Sequence, residues 1–167
     1  MIRPRVIKNK KLNVKIRKFY FEEPYIEKVF AFREQLKEEK YLQHTLEYSD
    51  LLRVLNGYSD RCYIACIDNE NYSYDVIGMY IYSLDYQRFC ADLHYLAVLK
   101  KYRRRGVATL LLKSLDDVVS TFDLCFIRVC VDYHNKPALK CFEKNGYEFE
   151  YRTGNMTYLL KSLADFY

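Results

Sequence analysis

The chain has no apolar run long enough to cross a membrane and no C-x-x-C cysteine pair. A membrane-spanning helix needs about 20 apolar residues, and charged residues interrupt every apolar segment before that length. Arg3 closely follows Met1, so we expect no signal-peptide core. Because C-x-x-C is absent and the three histidines lie far apart in the sequence, we expect no metal site.

Linkers, low-complexity segments and internal repeats are also absent. The 167 residues, 50% of them hydrophobic, suffice for one sizeable core, so we predict a single domain over residues 1–167. The first 20 residues contain eight basic side chains and no acidic one. We expect residues 1–11 to form a basic, frayed arm; contact with nucleic acid or an anionic membrane is the less favoured interpretation.

The six cysteines are expected to be free thiols. Without a secretory signal, we expect the chain to remain in the cytoplasm, a reducing compartment in which disulfides are rare. Most of the cysteines lie in apolar segments and are expected to fill the core.

Three arginines, a glycine and an alanine lie between an apolar strand and an amphipathic helix in residues 102–112, YRRRGVATLLL. The first N–H groups of a helix lack intrahelical acceptors and bind anions. Gly106 permits close approach of the backbone to a phosphate, and Ala108 adds almost no side chain. The segment therefore predicts a pyrophosphate site, although a solvated basic turn would explain it too.

A second segment, residues 135–147 (NKPALKCFEKNGY), is typical of a short helix. Asn135 is a suitable N-cap, Pro137 fits the first turn and Gly146 fits the C-terminal end.

Together the two segments resemble the GNAT superfamily of acyl-CoA N-acyltransferases. Residues 103–108 match its (Gln/Arg)-x-x-Gly-x-(Gly/Ala) pyrophosphate loop, and residues 135–147 match its second motif, which lies along the pantetheine arm. The resemblance implies one N-acetyltransferase domain that uses acetyl-CoA as co-substrate without a metal, as a monomer or homodimer. It also implies a set of residues around acetyl-CoA. These residues are Leu96, Ala97, Val98, Arg103, Arg104, Arg105, Gly106, Val107, Ala108, Thr109, Asn135, Ala138 and Phe142.

The expected fold class is α+β: a central mixed, splayed, mostly antiparallel sheet flanked by about four helices. The positions of the strands and helices are predicted from the spacing of apolar residues and from the turn residues between them. Strands are predicted near 12–16, 62–67, 76–83, 90–98, 125–131, 147–152 and 156–161, and helices after Pro24, over 46–55, up to about Thr121 and after Asn135. The resemblance implies that the sheet splays between the strands at 90–98 and 125–131, which opens a cleft for CoA.

Two residues on the central strand are candidates for proton transfer. The family commonly carries its base at the position of Asp92, and Asp92 departs from the usual Glu or Tyr. His94 shares the face of Asp92, because strand side chains alternate. Asp92 as a solvated carboxylate and His94 as a structural residue remain open alternatives.

The resemblance further implies that a backbone N–H between Leu96 and Val98, freed by a bulge, polarises the acetyl carbonyl. Phe142 stands where the family commonly has a tyrosine that protonates the leaving thiolate. Substitutes are Cys141, Tyr133 and Tyr147, or the thiolate leaves unprotonated.

Three functional hypotheses follow. The first is an acetyl-CoA-dependent N-acetyltransferase acting on a primary amine of a peptide, a protein or a small molecule. The second is a catalytically weak, CoA-binding regulator, suggested by Phe142. The third is a nucleic-acid-binding module, suggested by the basic arm and the 18 tyrosines.

Overall fold

The computed structural model describes residues 12–20, 25–39, 49, 60–71 and 73–163. The elements in this part of the chain follow each other in the predicted order. The strands are β1 (Lys15–Lys18), β2 (Asp60–Asp68), β3 (Tyr74–Asp85), β4 (Cys90–Val98), β5 (Phe126–Asp132), β6 (Glu148–Thr153) and β7 (Met156–Ser162), and the helices are α1 (Tyr25–Glu38), α2 (Val107–Ser120) and α3 (Lys136–Lys144). A single 3-10 turn, Lys100–Tyr102, joins β4 to the arginine loop.

All seven strands form one sheet in the order β1-β2-β3-β4-β5-β7-β6. Neighbouring strands are antiparallel except β4 and β5, which are parallel. The parallel register runs only from Cys90 opposite Phe126 to Leu93 opposite Val129, and beyond it the strands are no longer paired. The mixed α+β architecture and the splay between β4 and β5 are thereby confirmed.

Helices cover both faces of the sheet. On one face, α1 buries Val29, Phe32 and Leu36. On the other, α2 buries a stripe that includes Leu111 and Leu115, and α3 adds Phe142. This packing holds α2 and α3 against the same face of the sheet, in which β4 and β5 separate beyond Leu93 and Val129.

Most predicted boundaries agree with the structure, and β4 coincides with its predicted range. The first strand lies at Lys15–Lys18, later than the predicted 12–16. The predicted arm at 1–11 lies outside the described residues, as does the predicted helix at 46–55 apart from Ser49, which is helical. In the part of the chain that the structure describes, no helix has the length and apolarity to cross a membrane.

Candidate active site

The splay between β4 and β5 opens a cleft of about 320 Å³. Its walls come from the second half of β4, the second half of β5, and the beginning of α3. The lining residues are Leu93, His94, Tyr95, Leu96, Val129, Cys130, Val131, Asp132, His134, Asn135, Pro137, Ala138, Phe142 and Met156. The cleft therefore joins the central strand to the second sequence motif, as predicted.

The edge of β4 presents two backbone amides on the side away from β3, and one of them belongs to Leu96, which lines the cleft. The N–H of Leu99 donates to the carbonyl of Ile77 on β3 at 2.9 Å. Because donors alternate along an antiparallel strand, the N–H groups of Leu96 and Val98 point away from β3, toward the unpaired side. The irregularity of β4 lies earlier than the predicted Leu96–Val98: Tyr95 faces Ile81 and Leu93 faces Tyr82, so His94 is the extra residue.

The arginine loop ends in an uncapped helix N-terminus. Gly106, at a φ of 81°, is the N-cap of α2 and makes no side-chain cap. The first intrahelical bond runs from the Leu110 N–H to the Gly106 carbonyl at 3.0 Å, so the N–H groups of residues 107–109 precede the hydrogen-bonded ladder. A Cβ at Gly106 would meet no atom within 4 Å. This open space beside free donors suits a phosphate group.

The three arginines of the loop differ in their contacts. The Arg103 guanidinium donates to the carbonyl of Val98 at 2.8 Å and to the carboxylate of Glu39 at 2.9 Å. Glu39 also accepts the N–H of Lys100 at 2.7 Å. Arg103 therefore holds the loop against the end of β4, while Arg104 and Arg105 are exposed to solvent. Arg103, which is predicted to bind the cofactor, thus makes a positioning contact in this structure, and Arg104 and Arg105 carry the accessible positive charge.

The second motif has the predicted helix start. The side chain of Asn135 accepts the N–H of Ala138 at 3.3 Å, which confirms Asn135 as the N-cap of α3. An amide that caps through its oxygen keeps its NH₂ group for another acceptor. Ala138 lies at the cleft beside it, so this end of α3 offers both a donor and a small apolar contact.

Phe142 lines the inner end of the cleft and is buried. Its ring packs edge-on against Tyr147, with ring centroids 5.1 Å apart. Burial raises the pKa of the Tyr147 hydroxyl and also that of the Cys141 thiol, so both groups hold their protons more tightly than in water. The Arg152 guanidinium lies over the ring of Tyr133, with Cζ 3.8 Å from the ring centroid. Among the described residues, none of these three lines the cleft.

Asp92 and His94 both adjoin Ser83 on β3. Ser83 is the cross-strand partner of Asp92, and its hydroxyl lies 2.6 Å from Nε2 of His94. Among the described residues, no hydrogen bond or ion pair joins Asp92 to His94. Asp92 instead approaches Asp85 and Cys90, and the potential ligand atoms of the three lie within 4.8 Å of one another. Burial raises the pKa of the Cys90 thiol, with the charge of Asp92 adding to the effect.

A carboxylate–imidazole pair does exist at the cleft, but on the opposite wall. His134 Nδ1 lies 2.9 Å from Asp132 Oδ1, and the same oxygen accepts the His134 backbone N–H at 2.8 Å. Neither residue of this pair was among the candidates predicted for proton transfer from the sequence. The available signal was the D-x-H spacing directly before the Asn135 motif.

Comparisons with known proteins agree with this geometry. The sequence profile of the acetyltransferase (GNAT) family matches residues 18–147. The fold is similar to the PaiA N-acetyltransferase of Thermoplasma acidophilum in complex with coenzyme A, with 18% identity and a TM-score of 0.70, covering 90% of this chain and 99% of that one. It is also similar to Arabidopsis thaliana NAA60 in complex with a bisubstrate analogue, with 14% identity, a TM-score of 0.68, and coverage of 89% and 97%. No curated protein sequence matches the chain significantly.

Proposed function

Because the chain belongs to the acetyltransferase (GNAT) family, we propose that it transfers an acetyl group from acetyl-CoA to a primary amine. The acceptor is an amine of a peptide, a protein or a small molecule, and it attacks the thioester directly while both substrates are bound. One observation carries this proposal: β4 lines the open cleft beside β5 and leads, through the arginine loop, into the uncapped N-terminus of α2. An anion-binding helix end that follows the strand lining a cleft suits a diphosphate with a long attached arm.

In this proposal, the pyrophosphate of acetyl-CoA accepts hydrogen bonds from the amides of Gly106, Val107, Ala108 and Thr109. The exposed side chains of Arg104 and Arg105 add positive charge there. The pantetheine arm lies along Leu96, Ala97 and Val98 on one wall, with Asn135, Ala138 and Phe142 on the other. The neighbours solved with coenzyme A and with acetyl-CoA support this choice of co-substrate.

Acetyl-CoA supplies an activated acyl group, and the protein supplies polarisation and proton transfer. The N–H groups of Leu96 and Val98, which point away from β3, donate toward the oxygen on which negative charge develops. Asp92 and His94 take up the amine proton, either directly or through water, because an amine must lose its proton to become an amide. His94 is oriented by Ser83 at 2.6 Å.

Other properties are proposed with the activity. The six cysteines are free thiols, which supports a reducing compartment such as the cytoplasm. The family match covers 130 residues of a chain whose strands form one sheet, which supports a single N-acetyltransferase domain. This domain is proposed to act as a monomer or homodimer. Catalysis is proposed to need no metal.

The second candidate function is a CoA-binding regulator with little turnover, which the hydrocarbon side chain at Phe142 favours. Two measurements separate the candidates. Isothermal titration gives the Kd for acetyl-CoA, and a free-thiol release assay gives turnover across peptides, polyamines, arylalkylamines and amino sugars. Binding with amine-dependent thiol release supports the enzyme, binding without it supports the regulator, and no binding contradicts both. Salt-dependent affinity for DNA or RNA without CoA binding would instead support the nucleic-acid hypothesis.

A further inference from the structure

We propose that His134, held by Asp132, donates the proton that the CoA thiolate takes up as it leaves. The inference rests on the proposed acetyl transfer and assigns a general acid to the wall of the cleft opposite His94. A thiolate that departs without a proton is a poorer leaving group, and general acid help typically contributes about 10² to 10⁴-fold to a rate.

The geometry of the pair leaves one imidazole nitrogen available. An ionised carboxylate only accepts hydrogen bonds, so Nδ1 of His134 is the atom that carries the proton toward Asp132. Asp132 also accepts the backbone N–H of His134, and the two contacts fix the orientation of the ring. Nε2 is then free to face a ligand, and the side chain of His134 is 56% exposed, which leaves room for one.

The cleft places this ring opposite the proposed site of the thioester. Leu96 lines the cleft from β4, and Asp132 and His134 line it from the other side. The two strands separate beyond Leu93 and Val129, so the space between them is open to a ligand. A thioester whose carbonyl oxygen accepts from the Leu96 N–H therefore lies in the same cleft as the Asp132–His134 pair.

Several charged or titratable groups surround the ring. Asp132 comes from its own segment, and from neighbouring elements come Lys136 on α3, Arg152 on β6 and His94 on β4. Lys136 and Arg152 both lie over the ring of Tyr133, whose centroid is 3.8 Å from that of His134. Asp132 is thus the anion in direct contact, and the cations are held on the neighbouring tyrosine.

The proton transfer balances within the reaction. The amine nitrogen forms a bond to the acetyl carbon, the bond from that carbon to sulfur breaks, and sulfur leaves with the electron pair. In the acid form His134 is an imidazolium, with one proton on Nδ1 toward Asp132 and a second on Nε2. Sulfur takes the Nε2 proton, which leaves neutral His134, and the amine proton passes to Asp92 or His94 and on to solvent. His134 regains a proton from solvent before the next turnover. The products are the N-acetyl amine and free CoA.

The test compares donors with different leaving groups. His134→Asn keeps a side-chain N–H for Asp132 but cannot give up a proton, and His134→Gln is the second variant if the first folds poorly. With acetyl-CoA, we expect kcat to fall about 10²-fold or more while the Kd for acetyl-CoA stays within about twofold. With the selenoester analogue of acetyl-CoA, whose selenol is far more acidic, we expect the loss to disappear.

Two comparisons make the assignment specific. His94→Asn, the same substitution on the opposite wall, should lose activity equally with both donors, because it acts on the amine. Asp132→Asn tests the positioning residue: kcat should fall with acetyl-CoA at unchanged KM, and the selenoester should restore it. A purely structural role of Asp132 would not depend on the leaving group.

A binding readout tests the same contact without turnover. In ¹⁵N NMR spectra, the Nε2 resonance of His134 should shift when CoA binds and not when desulfo-CoA, which lacks the thiol, binds. An unchanged resonance with CoA, full activity of His134→Asn, or an equal loss with both donors would overturn the assignment. Absence of transfer by the unmodified protein would overturn the proposed function and this inference together, whereas failure of the inference alone appears only in the variants.

Discussion

Replacing Gly106 with glutamate should greatly weaken the binding of acetyl-CoA, because the new carboxylate enters the space where a phosphate is proposed to lie. A Cβ at this position meets no protein atom within 4 Å, so the side chain fits without a clash. A carboxylate about 5 Å from one phosphate charge costs about 3 kcal/mol at an effective dielectric constant of 20, which is about 150-fold in Kd.

The matched control is Gly106→Gln, which has the same size and lacks the charge. Both variants share the strain of a side chain at a φ of 81°, about 1 to 2 kcal/mol, so equal thermal stability is expected for the two. Isothermal titration should then show weak binding for Gln and far weaker binding for Glu. Equal Kd values for the two folded variants would refute the assignment of the pyrophosphate site.

Three further predictions follow from the contacts of individual side chains. Asp92→Asn should lower kcat in the thiol-release assay with the Kd for acetyl-CoA unchanged; a kcat equal to that of the unmodified protein would remove Asp92 from the mechanism. Arg103→Ala should lower the free energy of unfolding by about 2 kcal/mol in urea titrations, since a charged hydrogen bond to Glu39 is lost; full stability would contradict the positioning role. Mass spectrometry should show that iodoacetamide modifies the exposed Cys130 near neutral pH before Cys66, because burial raises the pKa of Cys66 to about 11 and the thiolate is the reactive form. Saturation with acetyl-CoA should slow the reaction at Cys130. Modification of Cys66 before Cys130 would contradict the described burial.

The elements with strong local signals could be predicted from the sequence. The β4 strand has an apolar pattern bounded by a tight turn and a basic loop, and its predicted and observed ranges are the same. The start of α3 was predicted because Asn135 and Pro137 act within a few residues of each other.

Features that depend on distant residues were not predicted. Arg103 contacts Glu39, 64 residues earlier in the chain, so no local pattern could separate its role from that of Arg104. The position of the β4 bulge depends on the pairing with β3. His134 and Asp132 are close in sequence, but their position at a ligand cleft depends on the separation of β4 and β5, which the sequence around them does not indicate.

The most direct test of the account is a crystal structure of the protein with acetyl-CoA. The pyrophosphate should accept hydrogen bonds from the amides of residues 107–109, and the pantetheine arm should lie between β4 and β5. Acetyl-CoA bound elsewhere, or a cleft filled by the side chains of the protein itself, would contradict the central claim.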